Sequence, residues 1–150
     1  MSRPQIAGIH HLKLPVSDLA VSRAWYERVL GFEVAFEFPD DDGIVRGLAG
    51  TVPGLGEVRI ALRQHPDAAR GIAGFDPVCF AIADHEAAQA WAHWLDEQGV
   101  KRSPVVEATS GWGVGFADPD GIELRLYSLA AHGIVKTDQP GYGRPVDRKP

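Results

Sequence analysis

Several reactive or charged side chains in this sequence are spaced so that they share surfaces. His11 and Lys13 stand two residues apart, Glu123, Arg125 and Tyr127 repeat that step, and Arg59 and Arg63 are separated by twice as much. In an extended chain successive side chains point to opposite faces, so each of these steps returns to the same face. His11 is suited to hold a metal through a ring nitrogen or to exchange a proton near neutral pH. Lys13, Arg59, Arg63 and Arg125 offer positive charge, and the guanidinium fork fits the oxygens of a carboxylate, phosphate or enolate. Trp112 and Tyr127 supply aromatic faces for stacking. Together with Cys79 and Glu123 these residues form a set with an excess of positive charge, in a chain whose formal net charge is −5. Such a set suits a small anionic and partly aromatic organic molecule. A competing reading pairs the cations with Glu33, Glu37, Glu57 or Glu123 and leaves a merely solvated surface. Cys79 itself reads as a small inert hydrophobe, since the sequence places no base beside it.

The elements that must carry these residues follow from periodicity. Leu12, Leu14 and Val16 alternate with His11, Lys13 and Pro15 as a strand, and Ser17-Asp18 then supplies a helix cap. The helix spans 19–30, with Val21, Trp25 and Val29 at helical spacing and Gly31 as its stop. Strands are predicted at 32–38, with Phe32, Val34, Phe36 and Phe38 on one face, at 44–49 and at 58–63. A linker rich in Pro, Ala and Gly occupies 65–75, and the pattern restarts at Asp76. Asp84 stands as far before Trp91 as Asp18 stands before Trp25, so Pro77 falls where His11 stood. A second helix carries Ala87, Trp91, Trp94 and Leu95 on one stripe and ends at Gly99; strands at 103–106, 113–117 and 122–127 complete the copy. The turn Asp118-Pro119-Asp120-Gly121 joins the last two. The expected fold is α+β, with tandem βαβββ modules at 6–64 and 76–128. Residues 129–150 are expected to form a tail on the surface or on a partner subunit. The apolar side of each module-edge strand should pack on a helix, so the polar side faces a cleft.

Composition narrows the function classes. The chain has 150 residues, 45% hydrophobic and 23% charged, which is ordinary globular composition. Its acidic balance argues against a nucleic-acid surface, because phosphate neutralisation needs clustered Lys and Arg. The acidic run Asp40-Asp41-Asp42 reads as a solvated loop. A single cysteine excludes an intramolecular disulfide and a Cys-rich zinc site and suits a reducing cytoplasm. No run is apolar enough for a membrane span or a secretory signal, so a cytoplasmic protein is expected. Gly111-Trp112-Gly113-Val114-Gly115 lacks the dinucleotide-binding spacing.

The run His11-Leu12-Lys13-Leu14-Pro15-Val16-Ser17-Asp18-Leu19, with Ser22, Trp25-Tyr26 and Leu30-Gly31-Phe32, and then Phe116-Ala117-Asp118-Pro119-Asp120-Gly121, resembles the vicinal oxygen chelate superfamily. That superfamily includes glyoxalase I, extradiol dioxygenases, fosfomycin-resistance enzymes and bleomycin-resistance proteins. The resemblance covers about residues 6 to 128. It implies strands that curve as a partly open, barrel-like sheet around a cleft, usually completed by a homodimer. It also implies a divalent metal held from the first and last strands of each module, at the places of His11, Ala61, Pro77 and Arg125. Only His11 among these has a lone pair to donate. The expectation is therefore a protein that binds a small anionic or aromatic ligand without a metal or other cofactor, as drug-sequestering resistance proteins do. One alternative is a divalent-metal lyase, isomerase or dioxygenase with relocated ligands, His11 with Glu123 and one of Glu57 or His65. Another is metal-free proton transfer, with His11 as base and Arg125 stabilising an enolate.

Overall fold

A strand, a helix and three further strands occur twice in the computed structural model, which describes residues 1–146. The first set is β1 (His11–Val16), α1 (Leu19–Leu30), β2 (Glu33–Pro39), β3 (Val45–Thr51) and β4 (Arg59–Gln64). After α2 (Pro66–Ile72) come β5 (Val78–Ile82), α3 (His85–Glu97), β6 (Val106–Glu107), β7 (Trp112–Ala117) and β8 (Glu123–Ser128). The chain divides into two compact units, Met1–Ala73 and the part from Gly74 onward. Each unit holds one four-stranded mixed sheet, ordered β1-β4-β3-β2 and β5-β8-β7-β6. The first strand of each set runs parallel to the last, and the other neighbours are antiparallel. The fold is α+β, built from two βαβββ modules.

Capping explains why the helices start where they do. Asp18 accepts a hydrogen bond from the Val21 amide at 3.0 Å, and Asp84 accepts one from Ala87 at 2.9 Å. Gly31 ends α1 in the left-handed region at φ 70, where a side chain would be strained. The buried faces differ from the expected stripes. In α1 the sheet covers Leu19, Ser22, Tyr26, Val29 and Leu30, while Val21 is exposed and Trp25 is half-buried. In α3 it covers Ala88, Ala92 and Leu95, and Trp94 is exposed. Both helices offer two apolar stripes at helical spacing, and periodicity alone does not choose between them.

Three segments depart from the sequence reading. The β2 register slips between Val34 and Phe36 and again between Phe38 and Pro39. The slips break the expected single face: Phe32 is 2% exposed, whereas Phe36 and Phe38 are 49% and 48% exposed. The expected linker contains α2, because His65 caps it through the Ala68 amide, Pro66 opens it and Ala69 is buried. The strand expected at 103–106 shrinks to Val106–Glu107. Pro104 has no ladder donor, and the Ser103 hydroxyl takes the Gly115 amide at 2.9 Å. The start of the expected tail lies on the surface of the second unit, where the amides of Leu129, Ala130 and His132 bond to the carbonyls of Ile82, Ala83 and Ser110. Lys136 also pairs with Glu107 at 3.2 Å; residues 147–150 of the expected tail lie outside the described residues.

The acidic run at 40–42 is an ordered turn. The Asp40 carboxylate accepts from the amides of Asp42 and Ile44 and from Arg46. Asp118 does the same with the amides of Asp120 and Ile122 in the matching turn of the second unit.

Candidate ligand-binding site

In the first unit, the β-ladder sets the site. His11 lies opposite Arg59, Lys13 opposite Ala61 and Pro15 opposite Arg63. Ala49 and Gly47 of β3 continue these rows from Ala61 and Arg63, and Phe36 and Phe38 of β2 extend them further. The intervening Leu14, Val16, Leu48, Ile60 and Leu62 are buried, so the rows project from the face away from the core. Two contacts confirm the parity. The Arg59 Cζ sits 5.0 Å from the centre of the Phe36 ring, a cation–π contact. The Arg63 Nη1 lies 3.5 Å from the point where a Gly47 Cβ would stand. Among the described residues, Lys13, Arg59 and Arg63 form no ion pair. Glu37 is taken by Arg23 of α1 at 3.7 Å, on the core side of β2. His11 is exposed, with its Nδ1 3.0 Å from that of His10 and the two rings edge to face.

The second unit brings Cys79, Arg125 and Tyr127 to its corresponding face, in register with Gly115 and Gly113. Here the cation is already matched: Arg125 pairs with both Asp76 and Glu123. Desolvation pushes the Cys79 thiol up, Arg125 only partly offsets this, and Asp76 adds to it. A raised thiol is a weak nucleophile at neutral pH. The Tyr127 oxygen receives the Ser110 amide at 2.9 Å and the Gly111 amide at 3.3 Å, with the Ser110 hydroxyl also at 3.3 Å. Partial burial raises the phenol, but these hydrogen bonds outweigh it and leave the net pKa below the ordinary 10.0.

Trp112 departs from the expected set. It shares parity with Val114 and Phe116, which are buried on the α3 side. Its ring stacks on His85 of α3 at 4.8 Å and meets His132 edge-on at 5.8 Å. It therefore lies on the opposite side of β7 from the row that holds Tyr127. Conversely, Phe36 and Phe38 join this face although the sequence reading kept them on one face with Phe32, which is buried. An alternating strand gives no sign of a bulge, so no local signal marked them.

The four places that the resemblance reserves for a divalent metal do not fit one. Ala61 and Pro77 have no donor atoms, and Arg125 presents a cation already held by two carboxylates. Among the described residues, no three His, Cys, Asp or Glu side chains gather into a group that could hold a metal ion. Of the relocated set, His65 stands apart from His11. His65 caps α2 beyond the Gln64–Val16 pair, while His11 pairs with Arg59 at the other end of β4, roughly 20 Å away along the strand. Glu57 lies in the turn before β4.

Residues 8–126 match the sequence model of the Glyoxalase/Bleomycin resistance protein/Dioxygenase superfamily. The chain belongs to that family. Solved structures share the fold. A glyoxylase/bleomycin resistance protein/dioxygenase domain from Frankia sp. EAN1pec is 24% identical, with a TM-score of 0.66 over 83% of this chain and 98% of that one. TnmS3, an antibiotic binding protein from Streptomyces sp. CB03234, is 22% identical, with a TM-score of 0.68 over 84% of this chain and 98% of that one. A mutant of the fosfomycin resistance protein FosX from Listeria monocytogenes, complexed with Mn(II) and a dihydroxypropylphosphonic acid, is 18% identical, with a TM-score of 0.64 over 82% and 90%. A search of curated protein sequences finds no match. Among the described residues, no helix is long and apolar enough to cross a membrane.

Proposed function

We propose that this protein binds a small anionic, partly aromatic organic molecule on the sheet face of its first unit, without a metal. One observation carries the reading: Lys13, Arg59 and Arg63 share one sheet face with Gly47, Ala49 and Ala61, beside the exposed Phe36, and among the described residues they form no ion pair. An anion gains charge-assisted hydrogen bonds there, and a flat ring gains an aromatic neighbour. The same fold serves TnmS3, an antibiotic binding protein, which makes sequestration without chemistry a consistent role. A homodimer in the cytoplasm belongs to the same reading; a solution mass equal to the 16.2 kDa of one chain would remove the dimer.

The test is calorimetric titration of the full chain with 1-naphthoate, 1-naphthyl phosphate and 1-naphthylphosphonate, with and without a chelator. Saturable binding of at least one probe is expected in both conditions, weakened about tenfold or more by Arg59→Gln. Binding that disappears with the chelator and returns with a stoichiometric divalent metal would restore the metal-dependent alternative.

A further inference from the structure

We infer that segment 129–143 is a strap released by acid: His132 latches it onto the 107–111 turn, and the latched turn holds the Tyr127 hydroxyl in place. The segment contains no helix or strand and is held by contacts with its own unit. At its start the Leu129 and Ala130 amides reach the carbonyls of Ile82 and Ala83, and the Ser128 hydroxyl donates to the Ala130 carbonyl at 2.6 Å. Farther along, Lys136 pairs with Glu107 at 3.2 Å and lies 5.0 Å from the centre of the Tyr142 ring. The Gly143 amide reaches the Thr109 hydroxyl at 3.5 Å. His132 stands between these two anchors.

His132 grips the turn twice. Its amide donates to the Ser110 carbonyl at 2.9 Å, and its Nε2 lies 2.8 Å from the Ala108 carbonyl. A carbonyl only accepts, so Nε2 carries the proton. Nδ1 receives the Ile134 amide at 2.9 Å, so it carries none. The closed strap therefore requires one neutral tautomer. An imidazole takes up its second proton between about pH 8 and 5, and here that proton meets the Ile134 N–H, two donors with no acceptor between them. Closure is favoured above that range and loses this contribution as the pH falls through it. The other groups around the latch act differently. From β6, Glu107 hydrogen-bonds Lys136 and raises its pKa, so the amine stays charged throughout. From α3, His85 stacks on the Trp112 ring, which also meets His132; a proton on His85 sets a cation over an indole face, which is attractive.

The turn carries the latch to the sheet face. The Ala108 amide closes it on the Gly111 carbonyl at 2.8 Å. Its Ala108 and Ser110 carbonyls are taken by His132, while its Ser110 and Gly111 amides are given to the Tyr127 oxygen from β8. Strap and tyrosine thus hold the same turn by opposite polar groups. Release of the strap frees the carbonyls, and the amides lose the fixed position from which they hold the phenol. His132 is a positioning residue for Tyr127.

The experiment is hydrogen–deuterium exchange of the full chain at about pH 7.5 and about pH 5.5, either side of the histidine range, corrected for the intrinsic pH dependence of exchange. Protection of peptides covering 129–136 is expected to fall about threefold or more at the lower pH, the worth of one hydrogen bond, while β8 keeps its protection. His132→Gln should remove the pH dependence, and His85→Gln should keep it. The tyrosine is read by ultraviolet titration, with the Tyr127→Phe curve subtracted. Desolvation raises the Tyr127 phenol, and the Ser110 and Gly111 hydrogen bonds more than offset it. Its ionisation should therefore move to higher pH in His132→Ala, with folding checked by thermal melting. Equal wild-type protection at the two pH values overturns the inference whatever the variants do. A pH dependence that survives in His132→Gln overturns the latch, and an unshifted phenol in folded His132→Ala overturns the link to Tyr127.

Discussion

The two sheets present the same ladder with opposite distributions of charge. Lys13 stands where the second unit has Cys79, Arg59 where it has Glu123, Ala61 where it has Arg125, and Arg63 where it has Tyr127. The first face has a small centre with cations around it that, among the described residues, form no ion pair. The second has a cation at its centre held by Asp76 and Glu123, and a tyrosine whose oxygen is engaged by the Ser110–Gly111 turn. Duplicated topology thus fixes where side chains project while leaving their chemistry open. A cation marks a ligand site only where its own neighbours leave it uncompensated.

The comparison breaks first if the two scaffolds are not equivalent. Leu62 and Leu126 are buried at 1% and 2% exposure on the core sides of β4 and β8. Replacing either by alanine should cost about 2–5 kcal/mol in urea unfolding; a cost below about 1 kcal/mol at one of them would show a looser core in that unit. Copying the second unit's acid into the first is the next largest change. Arg59→Glu should lower affinity for 1-naphthyl phosphate by about 100-fold, since attraction is replaced by like-charge repulsion. A loss under threefold by calorimetry would show that the charge difference between the faces does not govern binding.

The matched turns sharpen the comparison on a smaller scale. Asp118 is buried, so Asp118→Ala leaves the Asp120 and Ile122 amides without an acceptor and should cost about 1–3 kcal/mol. Asp40→Ala should cost less, because water reaches its exposed turn. The hydrogen bond from Arg46, then that from the Ile44 amide, holds the Asp40 carboxyl below its ordinary 3.8; desolvation opposes them, and the Asp42 amide lowers it further. A depressed folded pKa stabilises the protein above the unfolded value, and that contribution is lost as pH falls through the folded one. Melting temperature should therefore drop below about pH 4, and Asp40→Asn should flatten that drop. Equal slopes for the two proteins would remove this role.

What could be read from sequence was local. The cap at Asp18 and the stop at Gly31 act within a few residues, as does the alternation of β1, and all three match the structure. The α2 helix had local signals too, His65 before Pro66 and alanines after it, but its Pro, Ala and Gly content also fits a loop. On the candidate site, parity grouped His11, Lys13, Arg59 and Arg63 correctly on one face, because period two is a property of the backbone. It could not reveal that Arg125 would be neutralised by Asp76, a residue 49 positions away in the sequence.

By itself the sequence determined the paired modules, the helix ends, the polar rows of the edge strands and the family resemblance. Those features depend on neighbours along the chain and on backbone geometry. Only the tertiary structure decided which stripe of α1 is buried, that bulges turn Phe36 outward beneath Arg59, that Trp112 stacks on His85, and which cations are paired with carboxylates. Those outcomes depend on ladder register and on partners brought together by packing, where one slipped residue reverses a face and one nearby carboxylate cancels a charge.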